Sequence, residues 1–139
     1  MSYELITKAL QTRLKAFADS QTPKLAIAYE GVTFTPDAAK THLAEFTLPA
    51  ATDNPSLGRS HKRYVGTYQV DADAPISAGP VALRKLANDI AAHFPRGLGL
   101  NHSGLNVLIT RTPSIGPLLP EGGRMKRSVS MRYQSDVFS

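Results

Sequence analysis

The chain has no cysteine. That absence excludes disulfides, thiol nucleophiles and thiolate metal sites together, and it leaves the redox compartment undetermined. Charge is also sparse: 19% of residues are Asp, Glu, Lys or Arg, against 42% hydrophobic, which argues against a disordered chain and for a compact domain. No apolar run approaches the about 18 residues of a membrane-spanning helix, so no membrane partner is expected. The start, Met1-Ser2-Tyr3-Glu4-Leu5-Ile6-Thr7-Lys8, has an early acid and a lysine inside its apolar run, unlike a secretory signal. His42, His61, His93 and His102 are nine or more residues apart, without the close spacing of zinc ligands, so no metal site is expected. There is no Gly-x-Ser-x-Gly elbow, and Gly97-Leu98-Gly99 follows a helical stretch instead of opening one, so it fails as a phosphate loop. No nucleophile has a credible base nearby in sequence. No catalytic, cofactor-binding or metal residue is assigned, and no cofactor is expected.

What is present is one domain's worth of chain. The 139 residues predict a single domain over 1–139, able to bury about two thirds of the surface its unfolded form exposes. Net charge is +5, with a pI near 9.7. That balance favours acidic partners, whether nucleic acid, membrane headgroups or an acidic protein face, or serves solubility alone.

The organising stretch is Arg63 to Pro75. Tyr64, Tyr68, Val70 and Ala72 fall on one side and Thr67, Gln69, Asp71 and Asp73 on the other, the period-two signature of a half-buried, central strand. Gly66 predicts a bulge or a close backbone approach in mid-strand, and Pro75 ends it.

Around it, residues 3–18 predict an amphipathic helix, with Ile6, Leu10, Leu14 and Phe17 on one side. Leu25 to Tyr29 reads as a short buried strand, and Thr41 to Leu48 alternates as another. Residues 50–62 read as a long loop. Pro80 suits the first turn of a second helix carrying Leu83, Leu86, Ala87, Ile90, Ala91 and Phe94, ended by Pro95 and Gly97. Leu105 to Thr110 and Arg124 to Gln134 read as strands, residues 113–123 as a loop and residues 134–139 as a tail. The expected fold class is α+β. It is a two-layer domain with about five strands in a mostly antiparallel or mixed sheet, two amphipathic helices packed on one face and the other face left polar and charged.

Candidate surface chemistry is basic. Arg59, His61, Lys62 and Arg63 bracket the end of the long loop, and Arg124, Lys126 and Arg132 share one side of the last strand, with Arg127 on the other. Such groups meet phosphates, carboxylates of a neighbouring subunit, or Asp71 and Asp73 across the sheet. Aromatics are not interleaved with them as a single-strand-binding surface requires.

The N-terminal helix, the segment Ala26-Ile27-Ala28-Tyr29-Glu30-Gly31-Val32 with Phe34 and Pro36, the strand end Leu48-Pro49-Ala50, and Arg63-Tyr64 with Gly66, Tyr68-Gln69-Val70-Asp71 and Ala74-Pro75 together resemble the bacteriophage tail-terminator-like family. The resemblance implies a structural part of long-tailed phages. It forms a ring, usually a hexamer, at the head-proximal end of the tail; it stops tube polymerisation and offers the surface where the head joins. The implied partners are further copies of itself, the tail tube protein and the head-tail connector protein, with DNA passing through the ring. The implied location is the virion tail, after assembly in the host cytoplasm. The alternatives are another neck, minor tail or head-completion component, a small basic nucleic-acid-binding module, and an enzyme resting on Asp71, Asp73 and the histidines.

Overall fold

A computed structural model of the chain describes residues 2–52, 54 and 60–138. In chain order its elements are α1 (Ser2–Ser20), β1 (Ala26–Ala28), β2 (His42–Pro49), β3 (His61–Pro75), a 3-10 turn (Ile76–Ala78), α2 (Pro80–His93), β4 (Gly99–His102), β5 (Leu105–Ile109), β6 (Ser114–Ile115), β7 (Leu119–Glu121) and β8 (Arg124–Phe138). The architecture is mixed α+β, with two helices and one mixed sheet.

Both helices form where apolar spacing predicts them. Ile6, Leu10, Leu14 and Phe17 recur every three to four residues and are all buried, while Lys15 and Asp19 pair on the wet side at 2.8 Å. α1 ends where the Ser20 hydroxyl donates to the Phe17 carbonyl at 2.6 Å. α2 opens on Pro80, whose missing amide hydrogen costs nothing in a first turn. Leu83, Ala87, Ile90 and Phe94 form its buried stripe.

The sheet runs β1-β2-β3-β8-β5-β4, parallel between β1 and β2 and antiparallel elsewhere. β3 is central, as its alternation predicts, and pairs with β8 along its whole length from His61↔Phe138 to Pro75↔Arg124. Inward-facing Tyr68, Val70, Ala72 and Ala74 of β3 join Met125, Val129, Met131 and Tyr133 of β8 and the stripes of both helices in one hydrophobic cluster. Each fully buried Leu or Ile there contributes about 1.5–3 kcal/mol.

Gly66 marks a close approach: a Cβ on it would lie 2.5 Å from the Tyr133 hydroxyl and 2.7 Å from the Leu48 carbonyl oxygen.

Several expectations are corrected. Among the described residues the sheet has eight strands, not about five. Residues 113–123 are not all loop, because β6 and β7 pair in succession with β8. Residues 134–138 are strand and not tail, since β8 continues to Phe138, while Ser139 lies outside the described residues. β4 was missed altogether. Both omissions had a local signal: Ser103-Gly104 and Gly122-Gly123 are two-residue hairpin turns with positive φ at both positions, the backbone that glycine-containing pairs favour. The Leu25–Tyr29 run yields only three strand residues at a sheet edge, with Ala26 exposed. In β2 the apolar Phe46 and Leu48 face outward, and Leu43, Glu45 and Thr47 are buried.

Candidate assembly surface

The outer face of the β2-β3-β8 layer carries the polar half of each alternation. The register places Asp73 opposite Lys126, Asp71 opposite Ser128, Gln69 opposite Ser130, Thr67 opposite Arg132 and Arg63 opposite Asp136. β2 adds His42, Ala44, Phe46 and Leu48 on the far side of β3.

At one end, Arg124 is a hub. Its Nε donates to Asp73 Oδ1 at 2.7 Å, Nη1 to the Ala38 carbonyl at 3.0 Å and Nη2 to the Lys40 carbonyl at 2.9 Å. His42 approaches the same Asp73 carboxylate at 3.8 Å. Burial depresses the His42 pKa and Arg124 adds to the effect, outweighing the attraction of Asp73. In mid-sheet, Asp71 is buried and accepts from the Ser128 hydroxyl at 2.6 Å and from Gln69 Nε2 at 2.9 Å. Its carboxylate is an internal bonding partner, not the open polar surface expected of an alternating strand.

At the other end, Asp136 gathers His61 Nε2 at 3.0 Å, Arg63 Nε at 2.8 Å and Gln134 Nε2 at 3.2 Å. Burial pushes the Asp136 carboxyl up, but these donors outweigh it and hold it below the usual carboxylate range. The His61 ring stacks on Phe138 at 4.3 Å.

The arrangement offers hydrogen-bonding and charged groups on a broad strand face. Among the described residues no group of three or more His, Asp or Glu is arranged to hold a metal ion. No helix among them is long and apolar enough to cross a membrane.

A family model described as phage tail terminator protein matches residues 5–133. The chain belongs to the phage tail terminator family. A solved structure that carries no functional name is similar throughout, with a TM-score of 0.84 and 30% identity over 100% of this chain and 99% of that one. Seven chains of solved structures match. No functionally curated protein matches.

As a tail terminator family protein, the chain is a structural component of a phage tail, a class that works through contacts with other tail or head components. The basic residues singled out by sequence are not one patch. His61, Lys62 and Arg63 open β3 while Arg124 and Lys126 open β8, and the antiparallel register sends these groups to opposite ends of the ladder, about 45 Å apart at 3.3 Å per residue. Arg59 lies outside the described residues. His61, Arg63 and Arg124 are held by Asp136 and Asp73. Lys62 and Arg132 are exposed and Lys126 half-buried; the described ion pairs include none of the three. Arg127 donates to the Gly116 carbonyl at 3.2 Å. The residue that sequence reasoning missed is Asp136, because nothing local to it announces that three donors from β3 and β8 converge there.

Proposed function

We propose that this tail terminator family protein closes into a ring, a hexamer, at the head-proximal end of the tail. There it caps the tail tube, stops its polymerisation and presents the surface to which the head-tail connector docks. The observation that carries this reading is the family match across residues 5–133. In this reading 1–139 acts as one domain, and the helices, dressing one side of the sheet, leave the outer face and the strand ends for partners.

Lys62, Lys126 and Arg132 are the candidate cations that reach carboxylates on a neighbouring copy, the tube or the connector. Arg59 joins them in the connection before β3, and His61, Arg63 and Arg124 shape the same surface from within. DNA passes through the lumen of the ring, and assembly takes place in the host cytoplasm.

The test is electron microscopy of particles made without this gene. Tails of uncontrolled length, unjoined to heads, are expected; normal, joined tails would overturn the reading. Reversing Lys62 and Arg132 together to glutamate should abolish tail joining while leaving the urea unfolding midpoint unchanged, as expected for exposed charges that act between subunits.

A further inference from the structure

The sheet bends around α1 without closing on it. α1 touches β4 and β5 at one margin and β1 at the other, and β1 and β4 are the two ends of the strand order. Beside the helix lie two adjoining cavities that share Thr12 and His102, of about 410 Å³ and about 250 Å³, together the size of a ligand cleft. Lys8, Thr12 and Lys15 of α1 floor the larger, with Tyr29 and Val32 on the β1 side and His102 on the β4 side. Ala9 and Ala16 of α1 and Leu100 of β4 line the smaller. Every lining residue is described, and the β2–β3 connection rejoins the sheet at His61, three strands away from β4.

The β4 margin is an open edge. Ile109 N donates to Leu98 O at 2.9 Å, and the ladder alternates from there, so Gly99 and Asn101 turn their N–H and C=O groups away from β5. Asn106, opposite Asn101, turns the other way, where its carbonyl accepts from the Ser135 hydroxyl at 2.6 Å. In and beside β6 and β7, Pro113, Pro117 and Pro120 interrupt the row of donors. Gly99 to His102 contain neither proline nor lysine, so this edge stays competent to pair.

The gap is charged in one sense. Lys8, Lys15, Arg13 and His102 line the two cavities, and no Asp or Glu does. Lys15 holds Asp19 at 2.8 Å and Arg13 holds the His93 carbonyl. Among the described interactions none uses the Lys8 ammonium or the His102 ring. An occupant that satisfies both the edge and these cations is extended and acidic. No segment of these 139 residues supplies it: of the eleven acids only Asp71 and Asp73 lie within six residues of each other, and both sit in β3, paired on both sides.

We propose that an extended segment of another tail or head protein, carrying two nearby carboxylates, adds to the β4 edge and fills this gap. Its backbone bonds Gly99 and Asn101, one apolar side chain enters the cavity between Ala9, Ala16 and Leu100, and its carboxylates meet Lys8 and His102. Backbone pairing supplies the affinity, and the charges with the apolar anchor select the partner.

This inference rests on the reading above, in which the chain works by joining other tail and head components, and the first test concerns the edge. Asn101→Pro removes one outward N–H and leaves the ladder to β5 intact, whereas Asn101→Ala loses the same side chain and keeps that hydrogen. Joined particles should fall about tenfold for proline, as one lost hydrogen bond implies, and stay near the parent's yield for alanine. Equal yields overturn the edge pairing. Lys8→Glu with His102→Glu should lower joining at an unchanged urea midpoint, and joining that survives this reversal overturns the acidic occupant.

The second test identifies the occupant with the edge residues intact, so it decides the matter even where Asn101→Pro fails to fold. Because the chain has no cysteine, Val32→Cys places a single thiol on the far wall of the gap for a photo-crosslinker in purified virions. Crosslinks mapped to an acidic segment of another virion protein support the proposal; crosslinks to a second copy of this chain, or none, overturn it and leave the terminator reading standing. An unaltered chain that is absent from the head-proximal end of tails overturns both.

Discussion

Gln11 of α1 donates through Nε2 to Oε1 of Glu45 at 2.9 Å, and this places a carboxylate from β2 beneath the N-terminal helix. Glu45 is 1% exposed, and the same oxygen accepts from the Glu30 amide at 3.1 Å. The buried Tyr68 hydroxyl lies beside this carboxyl without a well-formed hydrogen bond. Burial, reinforced by the carboxylate, pushes the phenol far above its ordinary value.

Gln11→Ala should therefore cost about 1.5–3 kcal/mol, the range for a hydrogen bond to a charged group. Glu45→Ala should cost more, because it strands two donors and opens a cavity. Urea denaturation measures both. A Glu45→Ala chain as stable as the parent would show that the carboxyl does not tie α1 to the sheet.

Gly66→Ala should destabilise by about 1–3 kcal/mol through overpacking. Adding Tyr133→Phe should recover only part of this. The phenol oxygen at 2.5 Å is removed, but the Leu48 carbonyl at 2.7 Å is backbone and cannot step aside. A double-mutant cycle reads the coupling, and full recovery would assign the whole clash to the hydroxyl.

Arg124→Ala should free the segment that precedes β2, since its guanidinium joins Asp73 to the carbonyls of Ala38 and Lys40. The expected result is faster tryptic cleavage after Lys40 and a loss of about 1–3 kcal/mol. Unchanged cleavage would mean that this segment is held by other contacts, such as that of Phe34 on His42.

Stability should fall on acidification below about pH 6.5. Burial depresses the pKa of both His42 and His93, with Arg124 and Arg13 adding to the effect. The unfolded chain takes up these protons near the ordinary value of 6.5, and the folded chain only at lower pH. The stabilisation is complete above that value and is lost as pH drops through the window beneath it. His93, in the last turn of α2, bonds the Arg13 carbonyl through Nε2 at 3.0 Å and accepts Arg13 on its own carbonyl. His93→Gln should flatten the decline in urea midpoint between about pH 8 and about pH 5; an unchanged slope would remove His93 from the account.

Much of the fold was legible because it is local. The 3.6-residue recurrence in residues 3–18 and 80–94 and the strict alternation in 63–75 need no partner to be recognised, and Gly66 announced a close approach by breaking a strand pattern. β6 and β7, at two and three residues, carry no periodicity of their own and become strands only because β8 offers them an edge. Glu45 is the opposite case: a charged side chain favours the wet face of a strand, yet β2 turns it inward beneath α1, where Gln11 meets it.

The candidate surface followed the same division. Sequence alone determined the chain's basic balance, the polar half of β3 and the identity of every cation on it, because composition and alternation are properties of neighbouring residues. Only the tertiary structure decided that Arg63 meets Asp136, that Arg124 meets Asp73, and that the two basic groups stand at opposite ends of one ladder. The register between β3 and β8 joins residues as many as 77 positions apart, as in His61↔Phe138. Such a pairing is fixed by the shared core beneath both strands, which no single segment contains.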